Sequence, residues 1–229
     1  MDKVCVIIPV KDEETGLKYL LDNYRASELN LNYDVDFIFV IDCRTSDDSK
    51  LIAKKLNGRL VDQKESHGKG AAVRQAVGEW KNNTTDLVVF LDADGSYSFE
   101  DVHKVLDALR EDIDVVSGSR FLSGGGRPVG MSRLHNFGNK ALSYISSVRN
   151  RRRISDLCTG LWAFRKDAIL NLDFRSNGFD LEAELMGLMR EKNLNHSEIA
   201  VNWSQRKGGS SKLRSLRDGI IILKRIIIT

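Results

Sequence analysis

The sequence predicts one α/β domain in which helices flank a mostly parallel β-sheet. Short β-branched runs alternate with stretches of helical spacing through the first half of the chain, and this alternation implies right-handed crossovers between parallel strands. A length of 229 residues fits one large domain better than two small ones. Hydrophobic residues make up 41% of the chain and charged residues 29%, which allows a packed core beneath a polar surface.

Four buried strands and four helices are predicted in the first half. The strand patterns are short apolar runs, at Val4–Pro9, Val35–Asp42, Leu87–Asp92 and Ile113–Gly118. The helical patterns between them cover Glu14–Tyr24, Ser46–Leu56, Lys69–Trp80 and Glu100–Arg110. The only two prolines, Pro9 and Pro128, lie at the ends of elements, where a missing amide proton costs least.

The second half opens with a glycine-rich loop, Ser119–Gly130, whose length is typical of a functional loop. Helices are predicted at Met131–Val148 and Leu181–Lys192, and strands at Thr159–Arg165 and Glu198–Trp203. The last segment carries one row of apolar residues at helical spacing: Leu213, Leu216, Ile220, Leu223 and Ile227. The sequence therefore predicts a basic amphipathic helix over 213–229, after a domain over 1–212.

Positive charge is concentrated in two stretches. Every charged residue from Arg120 to Arg153 is a lysine or arginine, and Asp218 is the only acid between Arg206 and Arg225. These stretches predict contact with anions. A nucleic-acid-binding module would interleave aromatic side chains with the basic runs, but the first stretch has only three aromatic residues. That module would also leave the acidic motifs unexplained, so we expect no nucleic-acid partner.

The sequence suggests neither a disulfide framework nor a leader peptide. The three cysteines are far apart and show no CxxC spacing, so a reducing compartment is expected. The N-terminal residues pass directly into the first strand pattern, without the apolar region of a signal peptide. No run of about 20 apolar residues is present. These features predict a cytoplasmic protein.

Acidic residues gather where the predicted strands end. Glu13 follows the first strand, Asp42 ends the second, and Asp92 and Asp94 stand where the Leu87–Asp92 strand breaks. Ligands bind outside the carboxyl ends of parallel strands, and converging carboxylates need a cation or hydrogen-bond donors to offset their repulsion. An isolated Asp-x-Asp is more often a turn, but its place after a buried strand favours function. We therefore predict that Asp92 and Asp94 bind Mg²⁺ or Mn²⁺ together with a diphosphate.

Gly68, Lys69 and Gly70 open a predicted helix. The glycines allow close approach of the backbone, and both the helix N-terminus and the lysine ammonium favour a phosphate. An ordinary helix start with a solvated lysine is the alternative that the sequence leaves open.

Taken in order, these motifs resemble those of the inverting family-two glycosyltransferases of the GT-A fold. The matching segments are Pro9–Glu13, Ile41–Asp47, Gly68–Ala71, Asp92–Gly95 and Gly118–Arg120. Within the family the chain is similar to dolichyl-phosphate mannose synthases and related polyprenyl-phosphate sugar transferases. Two later segments carry that similarity, Asp156–Gly160 and Arg206–Leu213. The resemblance runs over essentially the whole chain and implies a donor-binding half over 1–118 and an acceptor-binding half over 119–212.

The resemblance also implies a role for individual residues. The residues that it assigns to the donor nucleotide-sugar are Pro9, Val10, Glu13, Asp42, Lys69, Asp92 and Asp94. Within this set, Asp94 would bind the metal, with Asp92 beside it on the nucleotide. Arg120 and Arg133 would hold an acceptor phosphate, and Arg206 would close over the donor diphosphate.

Three departures from the family pattern bear on specificity. Cys43 stands where the family has a second acid, which weakens any inference about the base of the donor. Ser96 replaces a glutamine common in the mannose synthases, which favours a UDP-sugar over GDP-mannose. Phe137 stands at the position of the family's acceptor serine.

The expected reaction moves a sugar from a nucleotide diphosphate-sugar to a polyprenyl phosphate with inversion. A phosphate is already anionic and needs positioning rather than a strong base, whereas the leaving diphosphate needs cations. A glycan or other hydroxyl acceptor is the alternative and would require a base, for which the candidates are Asp156, Asp180, Glu182 and Glu184. A sugar-nucleotide nucleotidyltransferase would carry a glycine-rich basic loop after its first strand, which Pro9–Glu13 lacks.

The glycine-rich loop and the basic C-terminal segment fit a protein that meets an anionic membrane surface. We therefore expect peripheral binding on the cytoplasmic face of a membrane. Packing of the C-terminal helix on its own domain is the alternative.

Overall fold

The computed structural model describes residues 1–64, 68–122, 124, 126–212 and 215–229. The described residues form seven strands in one sheet: β1 Asp2–Val10, β2 Tyr33–Ile41, β3 Arg59–Asp62, β4 Leu87–Leu91, β5 Val115–Ser119, β6 Leu161–Arg165 and β7 His196–Ala200. The strand order is β3-β2-β1-β4-β6-β5-β7. Strand β6 runs antiparallel to β4 and β5, and the other described pairs are parallel. The predicted α/β domain with a mostly parallel sheet is confirmed.

Nine helices of the described residues surround this sheet: α1 Glu14–Ala26, α2 Leu29–Asn32, α3 Ser49–Lys55, α4 Lys69–Trp80, α5 Phe99–Asp107, α6 Arg133–Asn150, α7 Lys166–Leu170, α8 Leu181–Glu191 and α9 Ser215–Ile228. The core lies on both faces of the sheet, because alternate residues of a strand point to opposite sides. Val6 of β1 packs in a layer with α1, α3 and α5, whereas Ile7 packs with α4, α8 and α9.

The elements that the sequence did not predict are short. Strand β3 has four residues at the edge of the sheet, and Val61 is its only buried residue. Helices α2 and α7 have four and five residues, too few to show a helical period. Strand β7 begins at His196 and ends at Ala200, so the predicted Glu198–Trp203 strand is displaced toward the N-terminus.

The C-terminal helix packs on the domain through a face that the sequence did not predict. Ile222 and Ile226 of α9 are buried in the second core layer, whereas Leu216, Ile220 and Ile227 of the predicted apolar face are exposed. Leu213 and Arg214 lie outside the described residues, so the described helix begins at Ser215. Within the described ranges, no helix combines the length and the apolar character needed to cross a membrane.

Candidate active site

A cleft of about 1010 Å³ opens along the carboxyl edge of the sheet. The strands deliver its lining residues in sheet order. Asp42 follows β2, Val10 ends β1, Asp92 follows β4 and Arg120 follows β5. Of the residues that the resemblance assigned to the donor, the metal or the acceptor phosphate, those that line the cleft are Pro9, Val10, Glu13, Asp42, Lys69, Asp92, Asp94, Arg120 and Arg206. The candidate base Glu182 lines the cleft as well. The topology therefore brings carboxylates and cations from distant parts of the chain into one site.

The carboxylate of Asp92 lies directly against the backbone of Gly160. The amide N–H of Asp92 donates to the Gly160 carbonyl oxygen at 3.2 Å, where β4 and β6 pair. A Cβ atom built on Gly160 would stand 1.9 Å from Asp92 Oδ2, far inside any non-bonded contact. Gly160 is thus a site residue to which the sequence assigned no role, because only the antiparallel pairing with β6 brings it beside Asp92.

Lys69, the first residue of α4, lies between two carboxylates. Its Nζ is 2.7 Å from Asp92 Oδ1 and 2.7 Å from Glu182 Oε1, and its side chain is 13% exposed. Burial favours a neutral lysine, but the two carboxylates outweigh this effect and raise the pKa of Lys69 above its ordinary value. Burial also raises the pKa of Glu182. Lys69 is therefore a buried ammonium fixed at the helix start, not a solvated one.

The segment after β7 crosses the cleft and contacts the loops that follow β1 and β4. Arg206 Nη2 donates to Glu13 Oε1 and Oε2 at 2.8 and 2.7 Å, and its Nη1 lies 3.7 Å from Asp94 Oδ2. Lys212 Nζ donates to Glu13 Oε1 at 3.0 Å. Burial raises the pKa of Glu13, and the two cations oppose that rise. Arg206 is thus positioned between Glu13 and the Asp94 carboxylate.

Asp156 holds Arg120 from beneath the cleft. Arg120 Nε donates to Asp156 Oδ2 at 2.6 Å and Nη2 donates to Oδ1 at 2.7 Å. Asn139 Nδ2 donates to the same Oδ1 at 2.9 Å, and the Asp156 side chain is fully buried. Asp156 lies outside the described lining of the cleft. Its buried pairing with Arg120 is that of a positioning residue, and its candidate catalytic role stays a prediction.

Two further sets of predicted residues lie away from the polar part of the cleft. Arg133, the first residue of α6, is exposed and stands outside the described lining, although its neighbours Ser132 and Leu134 are within it. Asp180 and Glu184 accept hydrogen bonds from Arg225 of α9, at 2.8 and 3.2 Å. These two acids therefore fix the C-terminal helix rather than face the cleft.

Most of the described cations that line the cleft are already paired with carboxylates. The pairs are Arg44 with Asp42, Lys69 with Asp92 and Glu182, Arg120 with Asp156, and both Arg206 and Lys212 with Glu13. Because each of these cations is already balanced by a carboxylate, the pairs do not offset the negative charge of a bound diphosphate. Carboxylate oxygens of Asp92 and Asp94, completed by phosphate and water oxygens, suit Mg²⁺ or Mn²⁺. No group of three or more His, Cys, Asp or Glu side chains forms a cage within the described ranges, so such an ion fits only if it is shared with a ligand.

Beyond Arg120 the cleft becomes apolar and runs between α6 and α9. Its lining there comprises Leu134, Phe137, Ala141, Leu142 and Ile145 of α6, with Leu216, Ile220, Ile222 and Leu223 of α9. Several of these side chains are open to solvent, and Phe137 is 73% and Leu216 77% exposed. The site thus has a polar half over the sheet edge and an apolar half between two helices.

Comparison with known proteins identifies the family. The family model described as glycosyl transferase family 2 matches residues 5–172. Glycosyltransferase AglJ of Haloferax volcanii is 30% identical over 224 residues, which are 96% of this chain and 70% of that protein. Dolichyl-phosphate hexose transferase of the same organism is 31% identical over 176 residues, 77% of this chain and 73% of that protein.

Solved structures show the same fold. Glucosyl-3-phosphoglycerate synthase from Mycobacterium tuberculosis, in complex with Mn²⁺, UDP and glucosyl-3-phosphoglycerate, matches with a TM-score of 0.73 and 17% identity. The match covers 99% of this chain and 77% of that chain. With the family model, the relatives and the fold in agreement, this chain belongs to glycosyl transferase family 2 and is a glycosyltransferase with a GT-A-type fold.

Proposed function

We propose that this glycosyltransferase moves a sugar from a nucleotide diphosphate-sugar to a polyprenyl phosphate of the dolichyl type, with inversion at the anomeric carbon. The observation that carries the proposal is the two-part cleft, in which a polar half and an apolar half meet at Arg120. A nucleotide diphosphate suits the first half, a lipid chain suits the second, and the guanidinium at the junction suits the acceptor phosphate.

The polar half supports a donor diphosphate. Lys69 is held as an ammonium beside Asp92, and Arg206 lies within 3.7 Å of Asp94. Both cations can turn from carboxylate to phosphate oxygens without leaving the cleft, which stabilises charge that develops on the leaving group. When bound at Asp94, Mg²⁺ or Mn²⁺ supplies further Lewis-acid stabilisation. A related fold that binds Mn²⁺ and UDP supports this donor class.

The occupied carboxylates favour a phosphate acceptor over a hydroxyl. A hydroxyl acceptor needs a general base within reach, but Asp156 is held by Arg120 and Glu182 by Lys69. The remaining candidates, Asp180 and Glu184, bind Arg225. A phosphate oxygen is ionised at neutral pH and needs only the cationic pocket at Arg120 to align it for displacement. The name of the dolichyl-phosphate hexose transferase supports the same acceptor class.

The apolar half supports a position at the membrane surface. Exposed apolar side chains of α6 and α9 stand beside a basic C-terminal end of α6. Such a surface can meet anionic lipid and admit a lipid phosphate whose chain stays in the membrane. We place the protein on the cytoplasmic face, as a peripheral protein.

A donor panel tests the proposal. UDP- and GDP-linked sugars are incubated with polyprenyl phosphate and Mn²⁺ or Mg²⁺, and the lipid product is identified by mass. We expect one donor class to yield a polyprenyl-phosphate sugar, and we expect a chelator or Asp94→Asn to abolish it. Transfer that is unaffected by the chelator would exclude the metal, and the absence of lipid product with every donor would exclude the acceptor.

A further inference from the structure

Arg44, which follows β2, is fixed on Asp42 by three hydrogen bonds. Its backbone N–H and its Nε donate to Asp42 Oδ1 at 2.9 and 2.8 Å, and its Nη2 donates to Oδ2 at 2.6 Å. The Asp42 side chain is 4% exposed, the Arg44 side chain is 49% exposed, and both residues line the cleft. The hydrogen bonds from Arg44 lower the pKa of Asp42 to about 2. The pair is therefore ionised at neutral pH and presents its guanidinium to the cleft.

The order of the strands sets which part of a nucleotide reaches this pair. Strand β1 lies between β2, which Asp42 follows, and β4, which Asp92 follows. Neighbouring strands are about 4.8 Å apart, so two steps across the sheet edge span about 10 Å. That span is close to the distance from a nucleotide's diphosphate to the far edge of its base. With the diphosphate at Asp92 and Asp94, and with the apolar half on the other side, the base lies at Asp42 and Arg44.

The pair differs in chemistry from a bare carboxylate. A carboxylate with two open oxygens binds guanine well, because the N1–H and N2–H groups point side by side at both oxygens. At Asp42, both oxygens already accept from Arg44, and Oδ1 accepts twice. The guanidinium carries five N–H groups, and its bonds to Asp42 use two of them. The surface that Asp42 and Arg44 present to a base is therefore rich in hydrogen-bond donors.

Uracil is the base that matches this surface. Its edge has two carbonyl oxygens that flank one N–H, whereas the edge of guanine has one carbonyl and two donors. We propose, on the basis of the function proposed above, that Arg44 is a specificity-determining residue that selects uracil over guanine. It does so by occupying the Asp42 carboxylate, which denies guanine its two acceptors, and by donating an N–H to a uracil carbonyl oxygen.

Calorimetric titration of UDP and of GDP, each with Mn²⁺, tests the inference in three proteins. These are the wild type, Arg44→Ala and Arg59→Ala. Arg59 is a matched control, because it is an exposed arginine of the edge strand that pairs with Glu79 at 2.8 Å, outside the described lining of the cleft. Circular dichroism establishes that each variant is folded, and Arg44→Met serves as a second variant if Arg44→Ala is not.

We expect the wild type to bind UDP more tightly than GDP by a factor of about ten or more. Arg44→Ala should bring the two affinities within a factor of about three, by weakening UDP and leaving GDP unchanged or strengthened, whereas Arg59→Ala should retain the wild-type ratio. Tighter binding of GDP by the wild type, or an unchanged ratio in folded Arg44→Ala, would overturn the role of Arg44 alone. If neither nucleotide binds the wild type, both this inference and the proposed donor class are wrong.

Discussion

The change Gly160→Ala displaces the Asp92 carboxylate by an amount that the geometry gives directly. The added Cβ would lie 1.9 Å from Asp92 Oδ2, whereas the shortest ordinary C···O contacts are about 3.3 Å. The carboxylate must therefore move by about 1.4 Å, or β4 and β6 must separate at their first pair beyond Leu91. A misplacement of about 1 Å in an active site can lower the rate by about a hundredfold, and we expect kcat/KM for the donor to fall by at least about that factor.

Gly78→Ala is the matched control for this change. Gly78 lies in α4, and a Cβ built on it meets no described atom within 4 Å. Alanine is favoured over glycine in a helix by about 1 kcal/mol, so this variant should melt at a higher temperature than the wild type and retain its activity. The assay compares donor kcat/KM, Mn²⁺-dependent UDP affinity and melting temperature in both variants. If folded Gly160→Ala keeps wild-type kinetics and UDP affinity, the proposed role of the Asp92 carboxylate is refuted.

Three other predictions follow from the charges and the apolar lining of the cleft. Lys69→Met removes the cation between the buried Glu182 carboxylate and the one-third exposed Asp92 carboxylate. Urea denaturation should show a loss of about 3 kcal/mol, the low end for a broken buried pair, because Asp92 is partly solvated. Lys50→Ala, which breaks an exposed pair, should change stability by less than about 1 kcal/mol, and equal effects would contradict the role of Lys69 as a paired ammonium. The pKa of Asp42 is lowered in the folded state, so the stability that its pair with Arg44 contributes is fully present above the unfolded pKa, near 4, and is lost as pH falls through about 2. Stability measured across this range should therefore fall more steeply in the wild type than in Arg44→Ala, and parallel curves would contradict the pair. Phe137→Ser removes an apolar side chain from the apolar half of the cleft. The KM for polyprenyl phosphate should therefore rise about tenfold, whereas the affinity for UDP should not change. An unchanged KM would indicate that the lipid binds elsewhere.

The carboxylates at strand ends were predictable because parallel strands deliver their ends to one edge of the sheet. Asp42 and Asp92 lie close to where the sequence places them, directly after apolar runs. The direction of β6 was not predictable, because Leu161–Arg165 has the same apolar character as the parallel strands of the sheet. Its antiparallel direction depends on how α6 returns the chain to the sheet, and this return is what places Gly160 against Asp92.

The pairing of charges in the cleft depends on contacts between distant segments. Glu13 and Arg206 are 193 residues apart, and no local spacing indicates that they bind each other. Arg120 and Asp156 are likewise brought together by tertiary structure. The sequence therefore singled out many of the residues that line the cleft, but it could not show that Asp156 is buried and paired with Arg120.

The sequence also could not show which face of a helix packs against the domain. Isoleucine and leucine occur on more than one side of α9, so spacing alone could not indicate which side meets the domain. Ile222 and Ile226 do so, and this leaves Leu216 and Ile220 along the cleft and exposed. For the same reason the sequence could not show that Ser132 and Leu134, and not Arg133, line the cleft.

The most direct test of the two-part cleft compares transfer to polyprenyl phosphate with transfer to the matching polyprenol, which lacks the phosphate. Both lipids present the same chain to α6 and α9, so the comparison isolates the phosphate that Arg120 is proposed to hold. We predict sugar transfer to the phosphate and none to the alcohol at the same donor concentration. Equal transfer to both lipids, or transfer to the alcohol alone, would contradict the assignment of the acceptor, and one of the carboxylates now paired with a cation would then have to act as the general base.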